Sequence, residues 1–245
     1  LAARGARATV YIELDSRTVK PFRDYAHGVG VSFLTMLASP LTAPLFLAEL
    51  FFGWLDFSTQ WGTGFIVDPL GHIVTNAHVV GDEEEVTIAR SDDTKGRARV
   101  IAVDADRDLA LLRLKGDGKL SRDEVAPLGS SSGVRIGQEV VIFGFPKRPF
   151  TSEGTPRPTV THGIVSTKGI ASGEAADRIQ LDAPANGGAS GSPVLDEHGA
   201  VIAVVTEVGD PAAFENQTFA IPIDDVVKAF FKRAVAKGGE HGHPH

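Results

Sequence analysis

The 245-residue chain has no cysteine, one methionine, two tryptophans and two tyrosines. Without cysteine it is neither a disulfide scaffold nor a thiolate-ligated zinc or iron–sulfur protein, and the absence leaves the redox compartment open. It also lacks an excess of positive charge: 24 Lys+Arg against 31 Asp+Glu give a net charge of −7. That sign argues against nucleic acid or anionic lipid as a partner. Disorder is excluded by composition, because 42% of the residues are hydrophobic and a chain of this length buries roughly 70–75% of the surface its unfolded form exposes. The first residue is Leu1 rather than Met, which reads as either a processed product or an excised piece, with any targeting segment already removed.

Long helical periodicity is scarce as well. From about residue 62 onward, short β-branched and apolar runs alternate with Gly, Pro and Asp, the pattern of many short strands. Strands are expected at 64–67, 72–75, 85–89, 97–103, 109–114, 139–143, 159–166, 178–182, 193–195, 201–206 and 218–221, with an earlier one at 9–14. Such spacing predicts an all-β barrel or sandwich. One helix has its signals, with Asp224 as N-cap, an apolar stripe through Val227, Phe230, Phe231, Ala234 and Val235, and Gly238 beyond its end. A polar, Gly/Ser-rich stretch from Gly116 to Gly137 marks a hand-over between two lobes. The expected organisation is an N-terminal strand and loop over 1–61, a first lobe over 62–122, a second lobe with the helix over 123–237 and a disordered tail over 238–245.

The segment from Gly28 to Ala48 carries no charge, long enough to meet the hydropathy criterion for a membrane span. Pro40 and Pro44 fall inside it and Ser32, Thr35, Ser39 and Thr42 interrupt it, so a long apolar loop is the preferred reading. Phe46, Phe51, Phe52, Trp54, Phe57 and Trp61 follow closely. So apolar a stretch predicts self-association or membrane contact through Gly28–Phe57.

Three segments carry chemistry jointly. Gly62-Thr63-Gly64-Phe65-Ile66-Val67 and Gly71-His72-Ile73-Val74-Thr75-Asn76-Ala77-His78-Val79-Val80 read as two strands leading into a turn that bears His78, a general base if its tautomer is fixed. In Asp106-Arg107-Asp108-Leu109-Ala110-Leu111-Leu112-Arg113-Leu114, period-2 alternation places Asp108 on the face of Ala110, Leu112 and Leu114, so its carboxylate is expected to point inward, unless the strand begins one residue later, and to need a partner. Asp182-Ala183-Pro184-Ala185-Asn186-Gly187-Gly188-Ala189-Ser190-Gly191-Ser192-Pro193-Val194 is a loop of small residues whose glycines can turn backbone N–H groups toward one point beside Ser190. Singly, each residue has an ordinary reading as a solvated His, a turn-capping Asp or a loop Ser. The order His78, Asp108, Ser190 across two lobes gives them joint meaning, and it excludes the α/β-hydrolase arrangement, which needs its Ser first and a Gly where Ser192 stands. His72 is read as structural or exposed, without a carboxylate motif, and His162 has no assigned role. The run Asp82-Glu83-Glu84-Glu85 reads as a solvated turn lacking calcium-ligand spacing; metal binding by His241, His243 and His245 would be adventitious.

These segments resemble the trypsin-like serine peptidases, and among them the HtrA (DegP-like) family. The resemblance rests on Gly62-Thr63-Gly64-Phe65-Ile66, Thr75-Asn76-Ala77-His78-Val79-Val80, Asp108-Leu109-Ala110-Leu111-Leu112, the Ser190 loop and Thr218-Phe219-Ala220-Ile221-Pro222, and it extends over roughly 8–237. It implies two six-stranded β-barrels with a C-terminal helix, a triad of His78, Asp108 and Ser190, and an oxyanion hole made by the N–H groups of Gly188 and Ser190. It further implies a substrate pocket lined by Ala185, Val205, Thr206, Glu207 and Val208, suited to a small or medium apolar side chain. No metal or organic cofactor is implied. The family suggests a homotrimer held through the aromatic N-terminal loop, working on unfolded or misfolded protein in the periplasm or another extracytoplasmic space. The chain departs from the family pattern at Ala189, Gly187 and Ser192, which makes the loop more flexible, and the family's PDZ domain is not met after the last helix, as expected of either a truncated or a naturally short chain. The alternative from a different class is a silent or weakly active oligomeric chaperone that binds unfolded protein.

Overall fold

The computed structural model describes residues 2–14, 61–92, 94–116, 118–145, 157–172, 176–185, 187–208 and 217–231. The Gly28–Phe57 segment, most of its aromatic cluster and the tail histidines lie outside them. Twelve strands form two closed six-stranded barrels. The first contains β1 (Thr9–Glu13), β2 (Trp61–Ile66), β3 (His72–Thr75), β4 (Glu85–Arg90), β5 (Lys95–Asp104) and β6 (Leu109–Leu114), ordered β1-β2-β3-β6-β5-β4. The second contains β7 (Glu139–Gly144), β8 (Thr159–Ser172), β9 (Ala176–Leu181), β10 (Pro193–Leu195), β11 (Val201–Val208) and β12 (Thr218–Pro222), ordered β10-β11-β12-β9-β8-β7. Every strand expected from the sequence is present, and the all-β, double-barrel reading holds.

The continuous apolar run in β6 has a structural reason: the strand is buried on both faces. Ala110 and Leu112 join Val10, Ile12, Ile66, Ile73 and Ile88 inside the first barrel. Leu109 and Leu111 face the other way, into a shared core with Phe65, Leu195, Val201, Val204 and Ile221. β11 divides similarly, with Ile202, Ala203 and Val205 inside the second barrel. The two barrels are therefore joined by packed side chains, and a cleft at their junction can be held to a fixed geometry.

Two local expectations need correction, and one element is new. The C-terminal helix α3 begins with Ile223–Val226, and its N-cap is Pro222, not Asp224. Proline fixes φ and leaves Asp224 and Asp225 in the first turn, where their charge suits the helix dipole. The wider turn Val227–Phe231 continues it, and Phe230 and Phe231 pack on the shared core. A short helix α1 (Ala2–Ala8), which the sequence reading lacked, precedes β1. His72 does have a carboxylate: Asp68 Oδ2 lies 2.5 Å from its Nδ1. Asp68 Oδ1 also accepts from the N–H groups of Leu70 and His72, closing the β2–β3 turn.

Candidate active site

His78 lies on α2 (Ala77–Val80), a single helical turn directly after β3. Its N-cap residue, Asn76, makes no side-chain cap. The missing acceptor comes from elsewhere in the chain, since Asp108 Oδ1 accepts the His78 N–H at 3.0 Å. The same carboxylate meets the ring, with Nδ1 2.8 Å from Oδ2 and 3.0 Å from Oδ1. A carboxylate only accepts, so Nδ1 bears a hydrogen, which in the neutral ring leaves Nε2 as the acceptor. The Asn76 amide donates to the Asp108 carbonyl at 2.9 Å, fixing the backbone from which the carboxylate projects.

Asp108 reaches this position by a route that strand alternation does not give. It is the last residue of a turn, with φ of 60°, and β6 begins one residue later. It is thus the one described non-glycine residue in the left-handed region, which Asp tolerates better than most. The inward orientation shared with Ala110 and Leu112 required a strand that already includes Asp108; β6 begins at Leu109, the other case, and the carboxylate does not follow that face. The carboxylate looks across the cleft, where the Thr206 hydroxyl of the second barrel donates to Oδ2 at 2.5 Å. Burial pushes the Asp108 carboxyl up; hydrogen bonds from the His78 ring, the Thr206 hydroxyl and the His78 N–H outweigh it and hold the group below its ordinary value of 3.8.

Thr206 is placed by a bulge. Val205 pairs with Ala220 and Glu207 with Phe219, so Thr206 is the extra residue between them. A bulge re-aims a side chain that regular pleating would turn elsewhere. Thr206 contributes twice, because its carbonyl accepts the Ser190 hydroxyl at 3.3 Å. Among the described residues, that is the hydroxyl's hydrogen bond. Asp108, Thr206 and Ser190 are thereby linked across the two barrels, and His78 is held on the same carboxylate.

The Ser190 loop is stitched to its surroundings. Ser192 N–H donates to Ala189 O at 2.9 Å, Gly191 N–H to Val205 O at 2.8 Å, and Thr63 N–H to Ser190 O at 2.8 Å. Gly188 and Gly191 have φ of 94° and 84°, and a Cβ at Gly191 would lie 1.9 Å from the Thr63 carbonyl, so glycine is required there. Of the residues read as pocket lining, Ala185 is half-buried against the second-barrel core. Val205 is fully buried within that core, and Thr206 is turned to Asp108. Glu207 and Val208 continue β11, opposite Phe219 and Thr218. Sequence reasoning missed the linking role of Thr206, which no local pattern encodes, and gave Thr63 no role although it stands inside a quoted motif.

A family model described as a trypsin-like peptidase domain matches residues 62–204. The chain is 37% identical over 190 residues to the putative serine protease HhoA of Synechocystis, covering 75% of this chain and 45% of that protein. It is 36% identical over 180 residues to a probable periplasmic serine endoprotease DegP-like of Brucella suis, covering 72% and 33%. It therefore spans under half the length of these curated relatives. A solved structure of the HtrA-type protease AlgW with a decapeptide superposes with a TM-score of 0.60 at 27% identity, covering 73% of this chain and 52% of that one. A second AlgW structure, with a tripeptide, gives a TM-score of 0.67 over 97% of this chain and 63% of that one, its 22% identity speaking for the fold. With two barrels, a cleft-spanning His, Asp and Ser constellation and these matches, the chain belongs to the trypsin-like peptidase family, of the HtrA (DegP-like) type.

Proposed function

We propose that the chain is a serine endopeptidase that cleaves unfolded or misfolded protein through an acyl-enzyme, with Ser190 as nucleophile, His78 as base and Asp108 as the group that orients and stabilises the imidazole. The observation that carries this reading is the cross-barrel linkage of the His78–Asp108 pair, Thr206 and Ser190. Ser190 Oγ leaves the Thr206 carbonyl, attacks the scissile carbonyl carbon and passes its proton to His78 Nε2. The carbonyl oxygen becomes an oxyanion, which the N–H groups of Gly188 and Ser190 stabilise; losing one such donor costs about 10²–10³ in rate. His78 then gives its proton to the departing amine, and water repeats the sequence on the ester. Neutral Nε2 and ionised Asp108 are the forms this cycle needs, and the hydrogen-bonding of Asp108 favours its ionised form.

Ala185, Val205, Thr206, Glu207 and Val208 are proposed to border the pocket before the cut, selecting small or medium apolar side chains. An extracytoplasmic space such as the periplasm fits the word periplasmic in the name of the Brucella suis relative, and a homotrimer joined through the aromatic N-terminal loop is proposed from the family resemblance alone. Among the described residues no helix is long and apolar enough to cross a membrane.

The test is covalent labelling by a fluorophosphonate followed by intact mass. One adduct per chain is expected, absent in Ser190→Ala and strongly slowed in His78→Ala. A folded wild-type protein that takes no label, with or without an unfolded-protein activator, would return the chaperone alternative to first place.

A further inference from the structure

We propose that Thr63, on the first barrel, is a positioning residue for the oxyanion hole of the second; the inference rests on the peptidase reading above. Thr63 is fully buried. Its Oγ1 accepts the Phe145 N–H at 3.0 Å and lies 2.7 Å from the Gly188 carbonyl. A backbone N–H can only donate, so the hydroxyl's single hydrogen is directed to Gly188 O. The backbone of the same residue is committed as well, with its N–H donated to Ser190 O at 2.8 Å and its carbonyl accepting the Thr75 hydroxyl at 2.7 Å. One residue of β2 thus holds two carbonyls of the nucleophile loop, on either side of Ala189.

The consequence follows from peptide planarity, since each N–H is fixed opposite the carbonyl of its own peptide unit. The plane after Gly188 is held by the Thr63 hydroxyl, the plane after Ala189 by Ser192 N–H and the plane after Ser190 by Thr63 N–H. The two proposed hole donors, Gly188 N–H and Ser190 N–H, flank the first of these planes. Releasing it frees rotation at Gly188, whose φ of 94° only glycine adopts readily. Space there is already taken up: a Cβ at Gly188 would sit 2.4 Å from the Phe145 carbonyl and 2.8 Å from the Trp61 indole nitrogen. The loop itself, with Gly187, Ala189 and Ser192, has no bulky side chain to stiffen it, and the hold on the Gly188 and Ser190 carbonyls comes from the facing barrel.

The experiment compares wild type with Thr63→Val, which keeps the shape and loses the hydroxyl, and Thr63→Ser, which keeps the hydroxyl. On a peptide substrate Thr63→Val is expected to lower kcat about 10- to 100-fold with KM within about twofold. Its fluorophosphonate labelling rate should fall in parallel. The midpoint of the acid limb of activity should stay in place, because the His78–Asp108 pair is untouched. Thr63→Ser should restore kcat to within about threefold. Equal kcat for Thr63→Val and wild type overturns the proposal, as does a Thr63→Ser variant no better than Thr63→Val. Failure of both Thr63→Val and Thr63→Ala to fold assigns the residue to barrel assembly and overturns it equally. If wild type itself neither labels nor hydrolyses, the peptidase reading has failed and the proposal falls with it, an outcome distinct from an active wild type matched by its Val variant.

Discussion

The first barrel holds two histidine–aspartate pairs that look alike and are built differently. In one, His72 Nδ1 lies 2.5 Å from Asp68; in the other, His78 Nδ1 lies 2.8 Å from Asp108. In both, burial raises the carboxyl, and hydrogen bonds led by the histidine ring reverse it. The difference lies in where the remaining hydrogen bonds come from. Asp68 takes them from Leu70 and His72 in its own turn, so everything about the pair is local. Asp108 is 30 residues from His78 and takes its third donor, Thr206, from the other barrel, 98 residues on. A short imidazole–carboxylate contact is thus no mark of a reactive site by itself. Convergence of distant segments on one carboxylate, linked through Thr206 to the Ser190 hydroxyl, is what separates the second pair from the first.

The largest way to break this comparison is to neutralise each carboxylate in turn. Asp108→Asn should lower kcat about 10⁴-fold, because an amide can hold the wrong tautomer and cannot stabilise imidazolium, whereas Asp68→Asn should leave kcat within about threefold. Comparable losses in the two variants would mean that the His72 pair takes part in the chemistry. A smaller effect sharpens the distinction at the cross-barrel bond. Thr206→Val removes one donor to Asp108 while keeping the side chain's shape, and a reduction in kcat of about tenfold is expected, with the acid limb of activity moved to higher pH. The sign follows from the donor's role: the Thr206 hydroxyl favours ionised Asp108, so without it the carboxyl protonates at higher pH. An unchanged pH profile would reduce Thr206 to a packing residue.

The sequence carried the barrels further than it carried the site. All twelve strands were legible, because apolar alternation and turn residues report burial directly, and the run Leu109-Ala110-Leu111-Leu112 reports a strand covered on both sides. Asp108 was legible as a residue, but its direction depended on whether the strand began there or one residue later, and its positive φ places it in the turn before β6. The link from Thr206 to Asp108 was not legible, because nothing in Val204-Val205-Thr206-Glu207 marks the bulge that turns it. Asp68 went unseen beside His72 for the opposite reason: the pair belongs to a turn, and turn carboxylates are so often solvated that pairing carries no sequence signature. Asp224 looked like an N-cap by residue type, yet Pro222, with its fixed φ, starts the helix two residues earlier.

The smallest expected effect separates the pairs by stability instead of activity. Asp68 has a folded-state pKa below its ordinary 3.8, so around that pH the unfolded chain binds more protons than the folded one. The pair's contribution is then present above the unfolded value and is lost as pH falls through the folded one. Because Asp68 and His72 are both partly exposed, that contribution should amount to at most about 1 kcal/mol. Urea midpoints at pH 6, 4 and 2.5 check it. Asp68→Asn should unfold at lower urea than wild type at pH 6 and approach it at pH 2.5, with activity at pH 6 retained throughout. Asp108→Asn should show the same sign of stability change and lose activity at every pH. If Asp68→Asn instead remained less stable by the same margin at pH 2.5, its cost would lie in the turn hydrogen bonds to Leu70 and His72 and not in the charge, and the two carboxylates would differ in kind as well as in place.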